Sequence, residues 1–206
     1  MENALIIFVR NAVKGEVKTR LSEGLGQDKT LEVYKFLLAY TRDLALACDC
    51  SHFVFYSSYI HVQDVFDDDR FTKFVQEGED LGDRMKNAFR KVFDLGCKKV
   101  CIIGSDCYEL EAAIINEAFE KLNSTDIVIG PASDGGYYLL GMKQVNDELF
   151  TRKLWGSSSV LDETIASITN ASLAFEKLSV LNDIDTVDDL LDTNILTHMQ
   201  EDHLEE

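Results

Sequence analysis

Proline is almost absent: Pro131 is the single one in 206 residues, and no Pro/Ser-rich or low-complexity stretch divides the chain. At a length where one hydrophobic core is filled, this predicts one domain over residues 1–198 and an acidic, frayed tail over 199–206. Histidine is scarce as well. His52, His61, His198 and His203 are scattered, and no Ser/His/Asp arrangement follows from their spacing. The five cysteines (Cys48, Cys50, Cys97, Cys101, Cys107) are odd in number and lack the CxxC spacing of a structural zinc site, so reduced, mostly buried thiols are expected.

Positive charge is the other shortage, with 20 Lys and Arg against 37 Asp and Glu and a net charge of −17. Nucleic acid and anionic membrane surfaces need a basic face that displaces counterions, which excludes both as partners. Long hydrophobic runs are missing too. The apolar segment after Met1-Glu2-Asn3 is too short to span a bilayer and carries no basic leader or small-residue cleavage site, which predicts a cytoplasmic protein without a membrane span.

What remains is the composition of a folded globular protein, 46% hydrophobic and 28% charged. Apolar runs at Ala4–Arg10, His52–Ser57, Lys99–Gly104, Asp126–Gly130, Tyr137–Met142 and Leu173–Val180 read as strands. Between them lie segments of helical period. They comprise a helix capped by Asp28, the stripe Leu81, Met85, Ala88, Phe89, Val92 and Phe93 ending near Gly96, then Glu109–Leu122, Val160–Ile168 and a last helix from Thr186 with Asp189 as capping-box partner. The acidic run Asp67-Asp68-Asp69 reads as a solvated turn. Such alternation predicts an α/β fold with a largely parallel sheet covered on both faces, and ligands of such sheets sit outside the carboxyl ends of the strands.

The residues just past those ends are the ones that carry chemistry. Arg10, Lys14, Lys18 and Arg20, with Gly15 among them, follow the first strand and form a small basic island in an acidic chain. Arg chelates phosphate oxygens, Lys supplies a point charge and Gly lets backbone approach a ligand, so a small phosphorylated ligand fits here, as would a plain solvated turn. Neither the GxxxxGK(S/T) spacing nor GxGxxG is present. Ser105 and Asp106 stand directly after a buried strand, where Asp106 suits a hard cation or a helix cap. Asp134, Gly135 and Gly136 form either a tight hairpin or a site. Asp183 and Asp185 offer two more carboxylates, or a cap for the last helix.

Taken in order, FVRNAVKGEVKTRLSEGLG (8–26), QEGEDLGDRMKNAF (76–89), VCIIGSDC (100–107), IGPASDGGYYLLGM (129–142), LWGSSSVLDET (154–164) and NDIDTVDDL (182–190) resemble a family of small bacterial enzymes. These are the GT-A-fold transferases known as radical-SAM/selenodomain-associated glycosyltransferases, within the nucleotide-diphospho-sugar transferase superfamily. The resemblance spans nearly the whole chain. It implies a GT-A-like, Rossmann-type three-layer α/β/α sandwich with a mostly parallel mixed sheet. It also implies Lys18 and Arg20 at a phosphate loop, Asp106 as leading ligand of Mg²⁺ or Mn²⁺, and Asp134 as a second acidic residue; Asp183 or Asp185 could meet the metal on the residue reading alone. Gln76, Asp80, Gly82 and Arg84 would wall the nucleotide side, and Trp155 would face the acceptor. The chain departs from the family pattern in the prolines of its phosphate loop, replaced by Ala12 and Val13, and in Tyr108 after Cys107.

The expected function is metal-dependent transfer from a nucleotide-sugar to a small acceptor. The alternatives are nucleotidylyl transfer from a nucleoside triphosphate with release of pyrophosphate, and a non-catalytic nucleotide-binding module.

Overall fold

The computed structural model describes residues 2–67, 69–151 and 153–202. Seven strands form one sheet: β1 Asn3–Val9, β2 Ser51–Tyr56, β3 Phe71–Val75, β4 Lys99–Ile103, β5 Ile127–Pro131, β6 Tyr137–Met142 and β7 Phe175–Lys177, in the order β3-β2-β1-β4-β6-β5-β7. All neighbours are parallel except β6, which runs antiparallel to β4 and β5. The helices are α1 Thr19–Leu25, α2 Gln27–Leu46, α3 Leu81–Asp94, α4 Ala112–Lys121, α5 Val160–Asn170, α6 Val187–Leu191 and α7 Ile195–Asp202. None is long and apolar enough to cross a membrane, among the described residues.

The central strands are continuous apolar runs because both of their faces are covered. Leu5, Ile7, Val54, Cys101 and Ile103 pack under Tyr34, Leu38, Leu44, Ile115 and Phe119 of α2 and α4. Ala4, Ile6, Phe53, Val100 and Ile102 face Met85, Phe89 and Val92 of α3 and Ile168 of α5 on the other side. The three-layer sandwich expected from the sequence is the observed architecture. A smaller cluster of Leu21, Val33, Leu37, Ile184, Leu190 and Ile195 ties α1, α2, α6 and α7 together.

Several boundaries differ from expectation. Asp28 does not cap the first long helix; Gly26 does, at φ 79°, and Asp28 sits inside the first turn. The short helix α1 and the strand β3 were not evident in the sequence. The strand expected over Leu173–Val180 contracts to Phe175–Lys177, although Leu178 N–H still donates to Ile129 O at 2.8 Å. The capping box on α6 forms as expected: Thr186 accepts from Asp189 N–H and the Asp189 carboxylate accepts from Thr186 N–H. The final helix runs to Asp202, and residues 203–206 of the expected tail lie outside the described residues. Asp67 and Asp69 are exposed in irregular chain, with Asp68 outside the described residues. All five cysteines are free.

The chain leaves β1 towards β2 on one side, while β4 adds on the other. The loops after β1 and β4 therefore diverge at the carboxyl ends of adjacent parallel strands, which opens a crevice there.

Candidate active site

The loop after β1 is pinned from both sides. Asn11 is buried and its side chain holds the loop after β2: Oδ1 accepts from Ser57 Oγ, Ser58 N and Tyr59 N, and Nδ2 donates to Tyr59 O at 2.8 Å. Tyr34 of α2 donates to Arg10 O at 3.0 Å and accepts Arg10 N–H at 2.9 Å, with Ser105 Oγ 3.5 Å away. Tyr34 thus fixes the loops after β1 and β4 together. In the sequence it reads only as one apolar position of a helix stripe, so this role had no signal there.

Lys18 enters α1 in the left-handed region, at φ 46° and ψ 51°. Its side chain is 8% exposed and Nζ lies 2.7 Å from both Asp106 Oδ2 and Asp185 Oδ1. Burial alone would lower the pKa of this ammonium, but the two carboxylates reverse the effect and hold it above the ordinary lysine value. Arg20 is exposed, with Nη1 3.8 Å from Asp185 Oδ2. Arg10, Lys18, Arg20 and Arg84 all line a polar cleft of about 1000 Å³, together with Gln76, Ser105, Asp106, Asp134 and Asp185. Lys14 and Gly15 do not line it. Lys14 is paired with Asp28 at 2.5 Å on the surface, and Gly15, at φ 82°, is a turn residue against the Gln27 side chain.

Asp106 and the 182–185 segment are joined by a backbone bond, Ile184 N–H to Asp106 O at 2.9 Å. Asp183 is the unsatisfied member of the group. Its Oδ1 is sealed from solvent without a hydrogen-bond partner, and burial, reinforced by Asp106, pushes its carboxyl well above the usual range while Lys18 pulls the other way. Asp134 is exposed, accepts Gly136 N–H at 2.8 Å and also lines the cleft.

Beyond Asp134 the cleft opens into a recess of about 220 Å³ walled by Phe8, Met85, Tyr137, Trp155 and Val160, with Asp134 and Asp183 at its edge. Phe8, Leu81, Gly104, Asp134 and Gly156 line both spaces, so they are contiguous. The glycines here serve packing. A Cβ on Gly82 would stand 2.5 Å from Trp155 Cζ2, and one on Gly135 2.1 Å from Ser158 O; neither glycine lines the cleft or the recess. Gly136 does line the recess. Asp80 caps α3 by accepting Asp83 N–H at 2.8 Å, away from the cleft. Gln76 donates from Nε2 to Phe55 O at 3.0 Å and Val9 O at 3.3 Å, bracing the ends of β1 and β2, and Arg84 Nε reaches Gly78 O at 3.3 Å.

Among the described residues, no group of three His, Cys, Asp or Glu is spaced to hold a metal ion by itself. The orphaned Asp183 Oδ1 next to Asp106 nonetheless fits Mg²⁺ or Mn²⁺, because such ions take one or two carboxylates and fill their remaining positions with water and phosphate oxygens. The chemistry open to the site is therefore binding of a phosphorylated ligand between cationic walls and a carboxylate cluster.

The fold is that of the nucleotide-diphospho-sugar transferases. A candidate nucleotide-diphospho-sugar transferase from Desulfovibrio desulfuricans G20 is 31% identical, with 95% of this chain and 87% of that one covered at a TM-score of 0.87. The CMP:2-keto-3-deoxy-manno-octonic acid synthetase complexed with CTP shares the fold at a TM-score of 0.60 and 10% identity, over 98% of this chain and 100% of the other. So does a Mycobacterium tuberculosis H37Rv protein in complex with manganese, at 0.55 and 13%, over 93% and 97%. No curated protein matches the chain. Residues 41–157 match the family described as uncharacterized protein conserved in bacteria (DUF2064), and the chain belongs to that family.

Proposed function

We propose that the chain is a metal-dependent transferase that takes a nucleotide-sugar as donor and passes the sugar to a small acceptor. The observation that carries this reading is the gathering of Arg10, Lys18, Arg20 and Arg84 with the carboxylates of Asp106, Asp134 and Asp185 in one cleft, beside Asp183, whose Oδ1 is sealed without a partner. Arg10, Arg20 and Arg84 line the space where a diphosphate would lie and would neutralise the charge that develops on it as the sugar departs. Lys18, fixed by Asp106 and Asp185, holds the loop after β1 in register with the loop after β4. Asp106 and Asp183 would hold a divalent cation, which would supply further charge neutralisation to the leaving diphosphate. The Desulfovibrio relative is itself a candidate nucleotide-diphospho-sugar transferase.

A thermal-shift series with nucleotide-sugars and nucleoside triphosphates, with and without Mg²⁺ or Mn²⁺, tests the reading, since a ligand selective for the native state raises its melting temperature by mass action. A metal-dependent shift that Asp106→Ala abolishes is expected. Indifference to every nucleotide would instead leave a fold without the activity.

A second reading, nucleotidylyl transfer, is favoured by the cations directly after β1 and by the CTP complex of the synthetase with this fold. The released product separates the two: nucleoside diphosphate for glycosyl transfer, pyrophosphate for nucleotidylyl transfer.

A further inference from the structure

The cleft and the recess beside it differ in chemistry. Cationic and acidic side chains together line the cleft, whereas no lysine, arginine or histidine among the described residues lines the recess, whose only ionisable acids are Asp134 and Asp183. Its walls are Phe8, Met85, Tyr137, Trp155 and Val160. Among the described residues the Tyr137 hydroxyl finds only the Met85 sulfur, at 3.8 Å, and Trp155 Nε1 is sealed without a partner.

We propose that this recess is the acceptor site and that the acceptor is a small neutral alcohol with an apolar body. The inference rests on the transferase reading above and adds the acceptor's chemical class to it. A phosphorylated acceptor would bring its charge against Asp134, with no basic side chain in the recess to receive it. A free sugar would set several hydroxyls against Phe8, Met85 and Val160, leaving them unpaired. An alicyclic or aromatic body of ring size suits a cavity of about 220 Å³ and lies flat against Trp155. The hydroxyl then projects towards Asp134, which the recess shares with the nucleotide cleft. In the transfer the acceptor oxygen bonds to the anomeric carbon of the donor and the bond from that carbon to the diphosphate oxygen breaks. The nucleoside diphosphate leaves with the electron pair, and the hydroxyl proton passes to the Asp134 carboxylate.

Trp155 is the one tryptophan of the chain and stands in the recess wall, so its emission reports occupancy directly. The test titrates the intact protein with cyclohexylmethanol and with its phosphate ester, two probes that share a body and differ in charge. Each is measured with and without Mg²⁺. The alcohol should change Trp155 emission saturably, with the ester binding at least tenfold more weakly in both conditions. Val160→Phe, which fills the recess, should lose this response and keep the thermal shift with nucleotide. Should that core substitution fail to fold, Ser157→Phe, at a half-buried loop position of the same wall, provides the same comparison. An ester that binds as tightly as the alcohol, or an alcohol without a saturable effect, overturns the proposal. Alcohol binding in a protein that no nucleotide stabilises would sink the donor reading and leave the recess chemistry standing.

Discussion

The Lys18 ammonium lies 2.7 Å from Asp106 Oδ2, a contact that bridges 88 positions of sequence and joins the loops after β1 and β4. Asp185 completes the arrangement at 2.7 Å from the same nitrogen, so a single buried cation serves two carboxylates. Lys18 makes these contacts from a left-handed backbone at φ 46°, a conformation that costs a non-glycine residue roughly 1–2 kcal/mol. Local strain is accepted for a cross-fold charge contact.

Replacing that cation is the first prediction. Lys18→Met keeps the length of the side chain but leaves Asp106 and Asp185 with only the exposed Arg20, 3.8 Å from Asp185, as counter-charge. Because these carboxylates are 35% and 39% exposed, water screens part of the repulsion, and a loss of about 1–3 kcal/mol at neutral pH is expected rather than the larger cost of a fully buried pair. Urea unfolding measures it. Added Mg²⁺ should restore more stability to the variant than to the wild type, because the vacated carboxylates then accept the ion. Equal Mg²⁺ effects in both proteins would show that Lys18 does not compete for that position.

Gly82 separates a packing role from a ligand role. The family resemblance puts it on the nucleotide side, whereas the structure sets its α-carbon against Trp155 and Phe150 O, where an added Cβ would stand 2.5 Å from each. Gly82→Ala should therefore cost roughly 1–3 kcal/mol by overpacking and shift Trp155 emission in the free protein. Nucleotide-dependent thermal shifts should be kept. Weakened nucleotide binding with unchanged tryptophan emission would return Gly82 to the ligand.

How much of this was legible follows from what each segment needed. Ala4–Val9, Lys99–Ile103 and Tyr137–Met142 were readable because strands covered on both faces must be apolar without a break. The direction of β6 was signalled by the hairpin reading of Asp134-Gly135-Gly136, and β5 and β6 do pair antiparallel. β3 escaped because an edge strand with only Phe71 buried has too little apolar content to stand out. Likewise α1 spans seven residues with Leu21 alone buried, and its start depends on the Lys18 backbone. At the site, Lys18, Arg20, Asp106 and Asp134 converge as their positions after strand ends suggested. Lys14 does not, because a nearby partner, Asp28, takes its charge. The special standing of Asp183 arises from burial beside Asp106, which no spacing encodes.

His52 supplies a pH prediction away from the site. It is buried beside Phe71, with ring centroids 5.3 Å apart, and its Nε2 is sealed without a partner. Burial lowers its pKa below the ordinary value, and backbone hydrogen bonding at Ala45 offsets this only in part. The unfolded chain, with a histidine pKa of about 6.5, therefore binds the proton first as pH falls. Stability drops from about pH 6.5 downwards until the folded pKa is passed, and His52 adds no pH dependence above that window. Urea unfolding at pH 7.5 and pH 5 should show a smaller fall for His52→Gln than for the wild type. Equal falls would remove His52 from the acid sensitivity of the fold.

Gly135 braces the loop that forms one wall of the recess. Its φ of 90° lies where a Cβ is strained, and that Cβ would stand 2.1 Å from Ser158 O, far inside van der Waals contact with backbone that has no rotamer to escape into. The same residue's carbonyl accepts Leu161 N–H at 2.9 Å, so the turn between β5 and β6 is locked to the start of α5. Gly135→Ala adds a left-handed cost of roughly 1–2 kcal/mol to an overpacking cost of roughly 1–3 kcal/mol, and the loop from Leu154 to Ser159 must move away to relieve it. Trp155 and Ser157 sit on that loop and line the recess. A melting temperature lowered by several degrees is expected, with weakened binding of cyclohexylmethanol and little change in nucleotide affinity. Calorimetry and Trp155 emission read the two effects separately. A variant that melts lower yet binds the alcohol normally would mean that the recess does not depend on this turn.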